Sequence, residues 1–250
     1  MNEENGIIIQ ARMDSSRLPG KALLPVVGKP MLVLLLERLR MVKNASSIVV
    51  ATTERSSDDA ICSVVRDVGV EVYRGSEDDV LGRFHECAAS RKWKRIVRVT
   101  ADCPLLDPVI LDDALDLASS LPDNHFVTNS PYSDADRAYP RGMDVEVFSK
   151  ASLQDAFSGA RTQFEREHVT PFMRARPERY PLTLMPCVAP APTTRLTVDE
   201  RRDYDLIVRI AEHLYPSNPL FSLSDILLFL RDKPAISEIN SGVRQNRSPL

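Results

Sequence analysis

At 250 residues, with 43% hydrophobic and 27% charged side chains, the chain is long enough for one large core, or a core with an extension. A formal net charge of -3 excludes a general attraction for nucleic acid, so clustered basic residues read as a local feature aimed at a small anion. The apolar run 33–36 is cut off by Glu37 and Arg38, far short of a membrane span, and the polar, acidic residues 1–5 resemble no targeting or anchoring segment.

Short β-branched runs alternate with amphipathic segments. Residues 7–10 predict a strand, 31–42 a helix, 47–53 a strand, 58–68 a helix and 70–74 a strand. Helical period follows at 78–91, a buried strand at 95–101, a proline-opened helix at 108–119 and a strand at 126–129. Right-handed crossovers turn this repeat into an α/β fold, a mostly parallel sheet covered on both faces, with functional loops at the strands' carboxyl ends. The strands holding Ile7, Val49 and Val97 are expected to be neighbours. Beyond residue 131 prolines interrupt the pattern. Strand-like alternation at 144–148 and 182–187, with helical period at 151–157 and 165–174, reads as an insertion or arm at 131–192 within one domain. Helices at 200–214 and 222–230 and a polar, frayed tail from about 241 complete the chain. The four cysteines, Cys62, Cys87, Cys103 and Cys187, form no Cys-x-x-Cys pair and have no histidine at ligand spacing. They predict reduced thiols in a cytoplasmic protein, without a zinc site or a disulfide framework.

The richest chemistry follows the first strand, in Ala11-Arg12-Met13-Asp14-Ser15-Ser16-Arg17-Leu18-Pro19-Gly20-Lys21. Arg12, Arg17 and Lys21 bring three cations to one loop, Ser15 and Ser16 add hydroxyl donors, and Gly20 lets backbone N–H groups approach an anion closely. A solvated surface loop is the competing reading, since this is neither a Walker motif nor a Gly-x-Gly-x-x-Gly fingerprint. Asp102, in Thr100-Ala101-Asp102-Cys103-Pro104-Leu105, follows a buried strand and either caps a turn or projects to the same edge as the loop. Asp199, ending Arg195-Leu196-Thr197-Val198-Asp199, either caps the helix after it or serves as a second carboxylate. Asp107 reads as the cap of the Pro108 helix, and the stretch from Ser76 to Asp79 would cap a helix in any protein.

The first loop, continued by Gly28-Lys29-Pro30-Met31, closely resembles the nucleotide-binding signature of the cytidylyltransferases that make CMP-activated sugar acids, nearest to the spore coat polysaccharide biosynthesis protein F type. The resemblance extends over about residues 7–230. It implies a three-layer α/β/α nucleotidyltransferase fold of Rossmann-like type, and transfer of a nucleotidyl group from CTP to a small acidic acceptor. It implies Mg²⁺ on Asp102 and Asp199, with Arg12, Lys21 and Asp102 as catalytic residues. Ala11, Arg12, Ser15, Ser16, Arg17, Lys21, Arg74 and Arg83 are its nucleotide-side candidates. Arg141, Asp144, Glu167 and His168 are its acceptor-side candidates, from Arg141-Gly142-Met143-Asp144-Val145-Glu146-Val147-Phe148 and Glu165-Arg166-Glu167-His168-Val169-Thr170-Pro171, which resemble the acceptor-side and arm segments, with His168 equally readable as a structural histidine. A homodimer formed through the arm is the expected assembly. The residues alone leave open cytosine against uracil, the acceptor and the general base. They also leave open a transferase using another nucleotide or a sugar 1-phosphate, although Gly-x-Gly-x-Arg is absent, and a non-catalytic nucleotide-binding subunit.

Overall fold

The sheet grows outward from Ile7-Ile8-Ile9, where period-two alternation sends Ile7 and Ile9 to one hydrophobic cluster and Ile8 to another, all fully buried. A strand covered on both faces needs partners on both edges, and in the computed structural model, which describes residues 4–243, it has them. β1 (Glu4–Gln10) lies parallel to β4 (Ser47–Thr53) and to β6 (Trp93–Thr100), with Ile7 opposite Ile48 and Val97, as the pattern predicts. Between β1 and β4 come the hairpin of β2 (Pro25–Val26) and β3 (Lys29–Pro30) and the helix α1 (Met31–Leu39). The crossover α2 (Asp59–Asp67) leads to β5 (Glu71–Gly75), and α3 (Val80–Ala89) leads to β6. After α4 (Pro108–Ser119) and β7 (Phe126–Thr128), β8 (Glu146–Ser149) enters between β6 and β7. The seven-stranded order is β5-β4-β1-β6-β8-β7-β9, with β9 (Leu182–Leu184) on one edge and β8 alone running against its neighbours.

Side chains of α1, α2, α4, α8 (Arg201–Leu214) and α9 (Leu223–Asp232) fill the cluster on the Ile7 face, and those of α3 and α5 (Lys150–Gly159) the cluster on the Ile8 face. Each fully buried isoleucine or leucine contributes about 1.5–3 kcal/mol, so two continuous clusters hold the sheet edge rigid beneath the loops. Two caps follow the sequence: the Asp79 carboxylate accepts from the Gly82 amide at α3, and that of Asp107 from the Val109 amide at α4. Asp107 also accepts from the Leu223 amide, which ties α9 to the start of α4.

Within segment 131–192 the strand-like alternation expected at 144–148 and 182–187 corresponds to β8 and β9, which join the central sheet. One expectation needs correction. The helix expected at 165–174 is two, α6 (Gln163–His168) and α7 (Pro171–Arg174), separated where Val169 takes a φ of 69° ahead of Pro171. A short helix α10 (Pro234–Ser237) follows α9, and of the tail expected from about 241, residues 244–250 lie outside the described residues. Among the described residues no helix is long and apolar enough to cross a membrane.

Candidate active site

The loop after β1 is fixed at both ends by backbone geometry. The Ala11 amide donates to the Ala51 carbonyl, continuing the sheet by one residue, and the Gly20 amide donates back to the Met13 carbonyl at 2.9 Å. Gly20 takes a left-handed φ of 71°, available to glycine at little cost, and turns the chain into the single helical turn Lys21–Leu23. That turn aims Lys21 across the sheet edge. Its ammonium donates to Asp102 at 2.9 Å, to the Val198 carbonyl at 2.7 Å and to Asp199 at 3.1 Å.

Asp102 and Asp199, from opposite halves of the chain, are thus held by one cation. The Val198 amide donates to the Asp102 carbonyl at 2.8 Å and pins the two segments together. The Thr100 hydroxyl donates to Asp102, and Arg17 and Arg195 both reach Asp199. Capping does not explain Asp199, because α8 is capped by Glu200 and Asp203 reciprocally, while the Asp199 carboxylate faces the cations. Burial opposes the charge on Lys21, but Asp102 and Asp199 outweigh it and raise the ammonium's pKa. Burial likewise opposes ionisation of Asp199, and Lys21, Arg17 and Arg195 hold its carboxyl below the usual range. At neutral pH Lys21 and Asp199 are both charged.

Two cavities meet at this cluster. The smaller, about 270 Å³, is lined by the expected Ala11, Arg12, Ser15, Ser16, Arg17, Lys21 and Arg83, and reaches Asp102, Asp199, Glu167 and His168. The larger, about 990 Å³, contains Arg141 and Asp144 and shares Arg17, Thr100, Asp102, His168 and Asp199 with the first. Burial lowers the pKa of His168 despite neighbouring Glu167, so its imidazole is neutral at pH 7. Arg83 is almost fully buried, with one nitrogen donating to the Ser76 carbonyl at 2.6 Å and its Nε without a partner. Burial first, and Arg12 second, bring its pKa down to about 10, still cationic at neutral pH.

Arg74 lines neither cavity. It donates to the Thr53 and Arg55 carbonyls and pairs with Asp59, bracing the turn between β4 and α2, a role spacing cannot separate from ligand contact. Conversely, the wall of the larger cavity contains residues that the sequence did not mark as site candidates. Glu146 on β8 is buried between Arg98 at 2.6 Å and Arg174 at 3.0 Å, and these arginines outweigh burial to hold its carboxyl below the usual range. Arg137 pairs with Asp144, and Arg141 with Asp134. An arginine in the apolar strand 95–101 and a glutamate between Val145 and Val147 were the available signals. Among the described residues no group of three or more His, Cys, Asp or Glu side chains is gathered as a metal cluster.

A sheet covered on both faces, with a cationic loop after β1 and two carboxylates delivered to the same edge, defines the nucleotidyltransferase class of fold. The chain belongs to the cytidylyltransferase family, whose model matches residues 6–224. It is 30% identical to the spore coat polysaccharide biosynthesis protein SpsF of Bacillus subtilis over 234 residues, 91% of this chain and 94% of that one. A solved cytidylyltransferase from Leptospira borgpetersenii superposes with a TM-score of 0.88 at 33% identity, covering 98% of this chain and 100% of its own. A CMP:2-keto-3-deoxy-manno-octonic acid synthetase solved with CTP shares the fold at a TM-score of 0.65 and 18% identity, over 84% of this chain and 99% of that one.

Proposed function

We propose that the protein transfers CMP from CTP to a hydroxyl of a small acidic acceptor, a sugar acid or related acid, and releases pyrophosphate. The observation that carries this reading is the pair of cavities sharing Asp102, Asp199, Arg17 and His168, which leaves room for two substrates with one point of contact. The triphosphate lies on the loop, against Arg12, Ser15, Ser16, Arg17 and Lys21. The nucleoside extends toward Arg83, whose buried, unpartnered Nε calls for an acceptor atom from a ligand. The acceptor occupies the larger cavity. Its hydroxyl oxygen bonds to the α-phosphorus, the bond to the bridging oxygen breaks in line, and pyrophosphate leaves with the electron pair. Charge grows on the non-bridging and leaving oxygens, where the loop cations stabilise it. Neutral His168, on the wall of both cavities, accepts the hydroxyl proton.

Asp102 and Asp199 are hard oxygen donors already drawn to one ammonium, a donor set that suits Mg²⁺ when phosphate oxygens and water complete the shell. Bound there, Mg²⁺ would neutralise triphosphate charge and acidify the attacking hydroxyl. The proposal includes a homodimer through the 131–192 region, where Tyr132, Leu184 and Val188 are exposed, in the cytoplasm, where CTP is supplied. SpsF is named for spore coat polysaccharide biosynthesis, and the same kind of pathway, surface polysaccharide or glycan assembly, suits a CMP-activated product here. Incubation with CTP, Mg²⁺ and a panel of acidic sugars and amino acids, read by mass spectrometry for CMP adducts and by pyrophosphate release, tests the assignment. CTP binding without adduct or pyrophosphate for any acceptor would make the protein a nucleotide-binding subunit instead.

A further inference from the structure

Asp58 sits at the start of α2, where an aspartate usually caps a helix, yet its side chain makes no capping bond there. The carboxylate, 1% exposed, turns away from α2 toward the loop after β1. One oxygen accepts from the Met13 amide at 2.7 Å; the other accepts from the Thr53 amide at 3.1 Å and from the hydroxyls of Thr52 and Thr53 at 2.9 and 2.5 Å. Burial of this carboxylate is opposed by four donors, so it is both charged and immobile.

Met13 is the pivot of the loop. Its N–H is held by Asp58, and its carbonyl accepts from Gly20, the residue whose left-handed turn launches Lys21. Arg12 precedes the pivot, and Ser15, Ser16 and Arg17 fall within the span it closes. A movement of Met13 therefore displaces the loop's cations together, although Asp58 lines neither cavity.

We propose that Asp58 is a positioning residue for the triphosphate: it fixes Met13, and through Met13 and Gly20 the arginine, serine and lysine donors, in their binding arrangement before nucleotide arrives. This rests on the reading that the loop binds CTP. Preorganisation of this kind acts on the phosphate end of the nucleotide and leaves the nucleoside end untouched.

The test compares Asp58→Ala with Thr52→Val, which removes one hydrogen bond to the same carboxylate and leaves its bond to Met13. Calorimetry with CTP, pyrophosphate and cytidine is run beside thermal unfolding. Asp58→Ala should bind CTP and pyrophosphate roughly 10- to 100-fold more weakly and cytidine within about twofold of the wild type, while Thr52→Val loses stability but keeps CTP affinity. A folded Asp58→Ala protein with unchanged CTP affinity would overturn the proposal, as would equal losses for CTP and cytidine or an equal loss in Thr52→Val. Amide hydrogen exchange on the nucleotide-free wild type needs no variant: the Met13 amide should be protected as strongly as the amides of β4, and exchange as fast as that of the exposed Ser16 would equally refute it. A wild type that binds neither CTP nor pyrophosphate, with Met13 still protected, would instead sink the functional reading and this role with it.

Discussion

Lys21→Met keeps the length and apolar stem of the side chain and removes the ammonium that Asp102, Asp199 and the Val198 carbonyl share. Breaking a fully buried ion pair costs about 3–5 kcal/mol. Here the side chains of Lys21 and Asp199 are 15% and 14% exposed, that of Asp102 is 25% exposed, and Asp199 keeps Arg17 and Arg195. The expected cost is therefore smaller, about 1–3 kcal/mol, or a fall in Tm of about 3–10 °C at this chain length. Turnover should fall further, by about 10²-fold, because a cation aimed at developing charge is gone. The pH dependence fixes the sign. Pairing raises the pKa of Lys21 above its ordinary 10.5, so its contribution is complete below that pH and disappears as pH rises through the folded-state value. The wild-type advantage in Tm should thus be constant from pH 6 to 9 and shrink only above about 10.5. Calorimetric unfolding across that range, with initial rates of pyrophosphate release at pH 8, is the assay. An unchanged Tm would mean that the shared ammonium contributes nothing to the fold, and unchanged turnover that Lys21 is not part of the phosphate clamp.

Asp102→Asn and Asp199→Asn should each abolish Mg²⁺-dependent turnover, and the double variant should lose far less than the product of the single losses; rates across a Mg²⁺ titration that multiply would refute a shared ion. Glu146→Gln leaves Arg98 and Arg174 without their common carboxylate and should cost about 3 kcal/mol at pH 7. Because the pKa of Glu146 is depressed below 4.5, its contribution is present above that pH and lost as pH falls through the folded value, so the wild-type and variant unfolding curves should converge in acid. Gly142 has a φ of 93°, and an added Cβ would lie 2.4 Å from the Leu196 carbonyl carbon, so Gly142→Ala should destabilise by roughly 2–4 kcal/mol. It should raise KM for the acceptor more than for CTP, since Arg141 beside it faces the larger cavity; equal changes in both would count against that cavity as the acceptor site.

Short-range physics was enough for much of this protein. The isoleucines at 7–9, the valines of β4 and β6 and the helical spacing between them prescribe strands buried on both faces, and such strands pack parallel under crossover helices. The wording of residues 11–21 and 100–105 was sufficient to mark the loop and Asp102 and to name the family they resemble. Tertiary structure alone decided the electrostatics. Whether Asp199 caps a helix or meets Asp102 on Lys21, whether Arg74 faces a ligand or its own backbone, and where in the sheet β8 and β9 insert all depend on strand order and register. Periodicity and capping propensity act over a few residues, whereas these pairings join side chains far apart in the chain, and each becomes favourable only after the sheet has brought both partners out of water together.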